Sequence, residues 1–188
     1  MKKVLIVLFA LICASGLVFA ADKAPAKQKA SSNDDLSWMT SYNDPGKVNA
    51  YGSVGLYGYG LDASVAGEYI LNKFNIGPVP LEWGLEGRGV MGFGSYSGYS
   101  SWVDWGIAPM ATLHWGVNFG KPWRFDAYIG AGAGFYGTTG TYWSNGNGLG
   151  FASWDGVAWY FADKMALIAE GGYIGHTSSG GIGLKMNL

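Results

Sequence analysis

Gly132, Gly134 and Gly137 have the spacing of the GxGxxG fingerprint, with which many enzymes bind a dinucleotide. That chemistry requires a helix directly after the glycines, because the N-terminus of the helix holds the pyrophosphate. The residues that follow are TTGTYWSNGNG, which favour turns over a helix. We therefore predict no nucleotide site and no cofactor.

The two histidines, His114 and His176, are far apart in the sequence, and the single cysteine, Cys13, lies in an apolar N-terminal segment. No set of residues has the spacing of a metal site. We predict His114 to be an interior hydrogen-bond partner.

A third set of residues could form ion pairs or line a polar path. Its members are Glu68, Glu82, Glu86, Arg88, His114, Arg124, Asp126, Glu170 and Lys185. A charge buried away from water needs an opposite charge, so we expect Arg88, Arg124 and Lys185 to face the four glutamates and Asp126. What this network does depends on the elements that carry it.

The segment Trp123 to Tyr136 alternates between apolar residues and a second set that holds all of its charges. This period of two is typical of a β-strand with one apolar face. A membrane-spanning strand needs about 9 to 11 residues, and this one is longer. We therefore predict one strand of a transmembrane β-barrel.

Seven further segments alternate in the same way, and together they predict a closed antiparallel transmembrane barrel of about eight strands. The eight segments are Val48–Tyr57, Ala63–Leu71, Leu81–Phe93, Val103–Phe119, Trp123–Tyr136, Phe151–Phe161, Met165–Ile174 and Gly180–Leu188. Nearly all strand charges fall on the inward parity, because a charge facing lipid near the midplane costs about 2 to 4 kcal/mol. An eight-stranded lumen is just wide enough for side chains to fill. We therefore predict that the network is a plug that closes the lumen; the alternative is a polar conduction path, for which inward glycines would leave space.

The connections alternate between compact turns and stretches rich in Gly, Ser, Thr and Asn, which predicts short periplasmic turns, outer loops, and both chain ends in the periplasm. An aromatic girdle is expected at the interface near the compact turns. Its residues are Trp83, Trp115, Trp123, Trp159 and Phe161.

Two residues do not fit the alternating pattern. Pro109 would interrupt the fourth strand, and Asp155, which lies on the apolar parity, would need a bulge or a shorter strand.

Residues 1–20 have the basic start, the apolar core and the small residues before Ala21 of a signal peptide cleaved after Ala20. Residues 21–46 are predicted to be a flexible N-terminal segment, within which Leu36 to Tyr42 could be a helical turn or a loose plug. Residues 47–188 are predicted to form the barrel.

Only 13% of residues are charged, against about 25% in soluble domains. Without Lys2 and Lys3 the chain has 10 basic and 13 acidic residues, so nucleic acid is not an expected partner.

From Lys47 to Leu188 the chain resembles the superfamily of small eight-stranded outer-membrane barrels that includes the OmpA membrane domain, OmpW and the opacity proteins. The residues that carry the resemblance are the alternating strands, Asp163–Leu167 leading to Ala169–Tyr173, and the closing Gly180–Leu188. The resemblance implies a location in the cell outer membrane of a Gram-negative-type envelope. It also implies contact with outer-membrane lipid and recognition of the last strand by the barrel-assembly machinery.

The family implies three roles: structural or surface interaction through outer loops and an unidentified ligand there, an OmpW-like or porin-like passage for small solutes, or lipid modification. For the third, His176 and Ser178 resemble the His-x-Ser arrangement of outer-membrane lipid A deacylases, in which histidine is the base and serine the nucleophile. Nothing acidic follows Glu170 to complete a triad. We predict a non-enzymatic barrel acting through its outer loops.

Overall fold

The computed structural model describes residues 38–57, 60–96, 100–140 and 146–188. The predicted signal peptide at 1–20 and residues 21–37 of the predicted N-terminal segment lie outside the described residues. Within the described ranges, no helix is long and apolar enough to cross a membrane. The strands are β1 (Met39–Thr40), β2 (Val48–Tyr57), β3 (Gly60–Ile76), β4 (Val79–Tyr96), β5 (Ser100–Asn118), β6 (Arg124–Gly140), β7 (Asn147–Tyr160), β8 (Met165–Ile174) and β9 (Thr177–Asn187).

Strands β2 to β9 form a closed ring in which every neighbouring pair is antiparallel. The ring closes where β9 pairs with β2, from Asn49 opposite Asn187 to Gly55 opposite Gly181. The predicted fold class, a closed antiparallel barrel of about eight strands, is confirmed. We call the end with the connections at 77–78, 119–123 and 161–164 the turn end, and the opposite end the loop end.

The barrel has an apolar exterior and a polar interior. Large apolar side chains such as Val54, Leu85, Ile107, Phe135 and Ile182 are exposed on the outer surface. Successive side chains alternate across the wall, so the residues between them point into the barrel and are buried. This inversion of the usual globular arrangement is the pattern expected of a transmembrane barrel, whose exterior meets lipid rather than water.

Several strands are longer than predicted. The stretches rich in Gly, Ser and Asn that were predicted to be loops continue the ladders; Ser95 pairs with Ser101, and Gly137 with Asn147. Cross-strand hydrogen bonds hold these residues extended although their own strand propensity is low. The connections at the loop end are correspondingly short.

The two residues that did not fit the pattern are accommodated without a change of register. The β5–β6 ladder omits Ala108 and Pro109 and resumes in the same register at Met110, since proline has no N–H to donate. Asp155 pairs with Ile129 and with Gly171 in unbroken ladders and is exposed on the outer surface. Neither the expected bulge nor a shortened strand occurs there.

Residues 38–46, which were assigned to the flexible N-terminal segment, are packed against the barrel. Met39 and Thr40 pair with Val117 and Gly116 of β5, and the Asn118 N–H donates to the Trp38 carbonyl. The β4–β5 ladder ends at Glu82 and His114, so β1 occupies the side of β5 that β4 leaves free. The chain then crosses the turn end from β5 to β2. In the ring, β4 and β3 lie between these two strands.

Candidate functional site

The candidate site is the polar interior of the barrel. Seven acidic residues are buried in the described part of the chain, against three basic ones. The acids are Asp62, Glu68, Glu82, Glu86, Asp104, Asp126 and Glu170, and the bases are Arg88, His114 and Lys185. They reach the interior because they occupy the inward parity of their strands, and they form three groups along the barrel.

The first group lies at the turn end and is organised around Asn43. The backbone N–H of Asn43 donates to both carboxylate oxygens of Glu82, each at 3.2 Å, and its side-chain amide donates to Glu82 and to Asp126. The side-chain oxygen of Asn43 accepts from Lys185 Nζ at 2.8 Å, and Lys185 also contacts Asp126 at 2.6 Å. One residue of the N-terminal segment thus connects β4, β6 and β9 across the interior.

His114 continues this group towards Glu68. Its Nδ1 is 3.1 Å from Asp126 and its Nε2 is 2.7 Å from Glu68. Both nitrogens can donate only when the imidazole is protonated. Glu68 also accepts from Tyr51, Thr112 and Asn49. A carboxylate with this many donors is held in one position, so His114 is an interior hydrogen-bond partner in the structure.

The second group surrounds Arg88 in the middle of the barrel. Its guanidinium binds Glu86 through Nε and Nη2, and Nη1 lies 2.8 Å from Glu170 of β8, on the opposite side of the ring. Glu170 also accepts from Ser53, Ser64 and Tyr128. The Trp154 ring lies 4.5 Å from the guanidinium carbon. Arg88 is therefore neutralised, hydrogen-bonded and stacked, the conditions under which a buried charge is tolerated.

Apolar side chains separate the Arg88 group from the loop end. A Cβ on Gly106 of β5 would lie 2.9 Å from Ile174 of β8 and 3.2 Å from Val90 of β4, so these two side chains cover the glycine. Next to them, Thr177 of β9 donates to the Trp105 carbonyl at 3.2 Å. Strands on opposite sides of the ring are therefore in contact at this level.

The third group lies between this apolar layer and the loop end. Asp62 accepts a hydrogen bond from Ser179, and Asp104 accepts one from Thr138 at 2.5 Å. The Thr138 hydroxyl also lies 2.6 Å from His176 Nε2. These residues were not in the predicted network.

Of the nine residues predicted for the network, the structure brings eight into the first two groups. Arg124 lies apart from them at the turn-end rim, partly buried, with Nη1 at 3.1 Å from Asp163. It is the first residue of β6, so its side chain reaches the turn at 161–164 rather than the interior.

The five predicted girdle residues are all on the outer surface near the turn end. Trp83, Trp123 and Phe161 are exposed, and Trp115 and Trp159 are partly exposed. Trp159 donates its indole N–H to the Pro122 carbonyl at 2.8 Å, which orients the ring at the edge of the barrel.

His176 and Ser178 do not converge in the structure. His176 contacts Thr138 and packs edge-on against Tyr136, whereas Ser178 pairs with the outward-facing Tyr173 and so lies on the opposite parity from Ser179. Among the described residues, no group of three or more His, Cys, Asp or Glu side chains could hold a metal ion.

The sequence analysis missed Asn43, Asp62 and Asp104. Asp62 lies one residue before the predicted start of its strand, on the same parity as Glu68, so a longer strand would have included it. Asp104 was inside its predicted strand on the inward parity. For Asn43 the sequence carried no signal, because a single asparagine in a polar segment is common in linkers.

No family model matches the chain, and no curated protein matches it. Among solved structures, the N-terminal β-barrel domain of Pseudomonas aeruginosa OprF is 17% identical, with 77% of this chain and 98% of that chain covered and a TM-score of 0.48. Neisserial surface protein A is 14% identical, with 76% and 94% covered and a TM-score of 0.46. A de novo designed transmembrane β-barrel is 15% identical, with 79% and 100% covered and a TM-score of 0.43. These proteins are what the chain is similar to; the closed eight-stranded barrel that the sequence predicts is shown by the strand pairings of the chain itself.

Proposed function

We propose that this chain is an outer-membrane protein whose barrel is plugged and which acts as a structural or surface-interaction protein through its outer loops. The observation that carries the proposal is the filling of the interior at three successive levels. Asn43 joins three strands at the turn end, Arg88 and Glu170 join opposite strands in the middle, and Val90 and Ile174 cover Gly106 above them.

The geometry favours a plug over a path because the charges of the Arg88 group are used up in contacts with one another. In the middle group, Arg88 is matched by Glu86 and Glu170, and each carboxylate of the pair contacts the guanidinium directly. A solute would have to break these pairs, which costs about 3 to 5 kcal/mol when one partner of a buried pair is lost.

The proposal is non-enzymatic. The His176 ring contacts Thr138 rather than Ser178, so the geometry gives no support to the lipid A deacylase arrangement. With the interior filled, the surfaces left for interaction are the exterior, which meets outer-membrane lipid, and the loop end. We further propose that β9 is the segment that the barrel-assembly machinery recognises.

A narrow pore is the second candidate function, and one observation favours it. The turn end is covered by residues of the N-terminal segment, which are joined to the barrel by two strand pairings and by the hydrogen bonds of Asn43. If this segment leaves the interior, Glu82 and Asp126 face the opening. The pore would then prefer cations.

The test is solute flux through liposomes that carry the refolded chain, compared with protein-free liposomes and with liposomes that carry a known open porin. A plugged barrel gives no flux of ions or small sugars above the protein-free level. Sustained flux with a preference for cations would contradict the plug and support the pore. Unheated protein that migrates in SDS differently from boiled protein serves as the control that the barrel has folded.

A further inference from the structure

Asp62 and Asp104 lie on one hydrogen-bonded row of the barrel wall. Both pair with Gly92 of β4, Asp62 from β3 and Asp104 from β5. Adjacent strands are about 4.8 Å apart, so the two aspartates are separated by roughly 10 Å along the wall. Both lie on the inward parity of their strands, on either side of Gly92.

Both carboxylates are buried, with 3% of Asp62 and 5% of Asp104 exposed. Asp62 Oδ1 accepts from Ser179, but Oδ2 is buried and has no hydrogen-bond partner among the described residues. Asp104 accepts from Thr138 through Oδ1. An orphaned carboxylate oxygen is expensive to bury, so this oxygen indicates a ligand that the described side chains do not supply.

In the described part of the chain, no lysine or arginine forms an ion pair with Asp62 or Asp104. Val90 and Ile174 lie between the two acids and Arg88, the basic residue of the neighbouring group. His176 reaches this region, but its Nε2 contacts Thr138. Two buried acids therefore lie at the loop end with no lysine or arginine partner among the described residues.

We propose that Asp62 and Asp104 bind a divalent cation of the Ca²⁺ class at the loop end of the barrel. Carboxylate oxygens are the ligands that hard divalent cations prefer. The hydroxyl oxygens of Ser179 and Thr138 lie beside the carboxylates and can complete the site together with water. Both hydroxyls donate their hydrogen to a carboxylate, so the Ser179 oxygen keeps two lone pairs for a metal and the Thr138 oxygen keeps one beside the lone pair that faces His176 Nε2.

The donor set selects this class of metal. Zn²⁺ favours thiolate and imidazole ligands, and the only nearby imidazole is already bonded to Thr138. Mg²⁺ demands a near-ideal octahedron at 2.0–2.1 Å, whereas Ca²⁺ accepts irregular oxygen ligands at 2.3–2.6 Å and suits two carboxylates carried by different strands. With two charged ligands the affinity falls in the weak range of extracellular calcium modules, with a Kd of roughly 10⁻⁴ to 10⁻³ M.

The test uses Tb³⁺ as the probe, because it binds calcium sites and emits when nearby tryptophans are excited; Trp105 is adjacent to Asp104. The refolded chain in detergent is titrated with Tb³⁺, and CaCl₂ is then added as the competitor. We expect saturable emission that Ca²⁺ displaces, and at least a tenfold weaker affinity for Asp62→Asn and for Asp104→Asn. The matched control is Asp163→Asn, an exposed acid at the turn end, which leaves the affinity unchanged.

A second measurement keeps the proposal open to contradiction if a variant folds poorly. In the presence of a chelator, Asp62→Asn is expected to raise the Tm of the barrel, because it removes an unpartnered charge. Added CaCl₂ is expected to raise the Tm of the unmodified chain and not that of the variant. The proposal is overturned if the unmodified chain shows no saturable emission. It is also overturned if Asp163→Asn weakens binding as much as the two interior variants, or if CaCl₂ leaves the Tm of the unmodified chain unchanged.

Discussion

The backbone N–H of Asn43 lies 3.2 Å from each carboxylate oxygen of Glu82, so a charge on the barrel wall holds a residue of the N-terminal segment inside the barrel. The Asn43 side chain extends the same contact to Asp126 and Lys185. Because Asn43 is neutral and both donates and accepts, it can lie between two carboxylates and an ammonium group without adding charge.

Asn43→Ala tests whether this residue holds the N-terminal segment in place. The substitution removes a side-chain donor to Glu82 and Asp126 and an acceptor for Lys185 Nζ, so we expect the free energy of unfolding to fall by about 1 to 3 kcal/mol. We also expect cation flux through liposomes to rise. The control is Asp44→Ala, which removes an exposed contact between the same segment and Lys73 of β3. Equal flux for the two variants would show that Asn43 does not close the barrel.

Arg88→Ala tests the central ion-pair group. The substitution leaves Glu86 and Glu170 buried without their cation, which costs about 3 to 5 kcal/mol of stability. Arg88→Lys should recover only part of this loss, because an ammonium group cannot bind Glu86 through two nitrogens. Urea unfolding of the refolded barrel measures both values. Arg124→Ala at the turn-end rim is the control, and a loss there as large as that of Arg88→Ala would refute the assignment.

Ile182→Arg tests which surface faces lipid. Ile182 is 71% exposed in the middle of β9, where a lipid-facing arginine costs about 2 to 4 kcal/mol. Leu188→Arg is the matched control at the turn end, where the cost near the interface falls to about 0 to 1 kcal/mol. Reversible unfolding from lipid bilayers gives the comparison. Equal losses of unfolding free energy at the two positions would contradict a cost that depends on depth in the membrane.

Asp155→Asn tests the acid that, among the described residues, lies on the apolar exterior in mid-strand. Removing a charge from a lipid-facing position should raise the free energy of unfolding by up to about 2 kcal/mol, since aspartate costs less there than arginine or lysine. The same bilayer measurement applies, with Asp163→Asn as the control in an exposed turn. A loss of stability in Asp155→Asn would mean that the carboxylate makes a favourable contact in the membrane.

Strand parity made most of the barrel predictable. Val48–Tyr57 and Met165–Ile174 have the predicted bounds, because clear alternation runs to both of their ends. The same parity placed Glu68, Arg88 and Glu170 on the inward face. Side chains alternate between the two faces of a strand, so only two arrangements are possible. Once the apolar residues are known to face outward, the direction of every other side chain in that strand follows.

The remaining features depend on distant parts of the chain. The loop-end extensions of β4 and β6 exist because a partner strand supplies hydrogen bonds to weak strand formers such as Ser95. The position of Arg124 depends on Asp163 in another turn, and that of Asn43 on Glu82 and Lys185. Local propensity contains no information on these partners, which is why the sequence could not place them.

The pairing of β1 with β5 has a consequence for how the molecule folds. Met39 and Val117 are distant in sequence, as are Asn49 and Asn187 of the closing pair, whereas the other neighbours in the ring are hairpins. Contacts of long sequence separation carry the largest loop-closure entropy, so hairpins form first and the β2–β9 seam closes after them. The contact between Asn43 and Lys185 needs β9 in place, so this contact forms only when β9 has joined the barrel. The rate at which it forms therefore reports on a completed barrel.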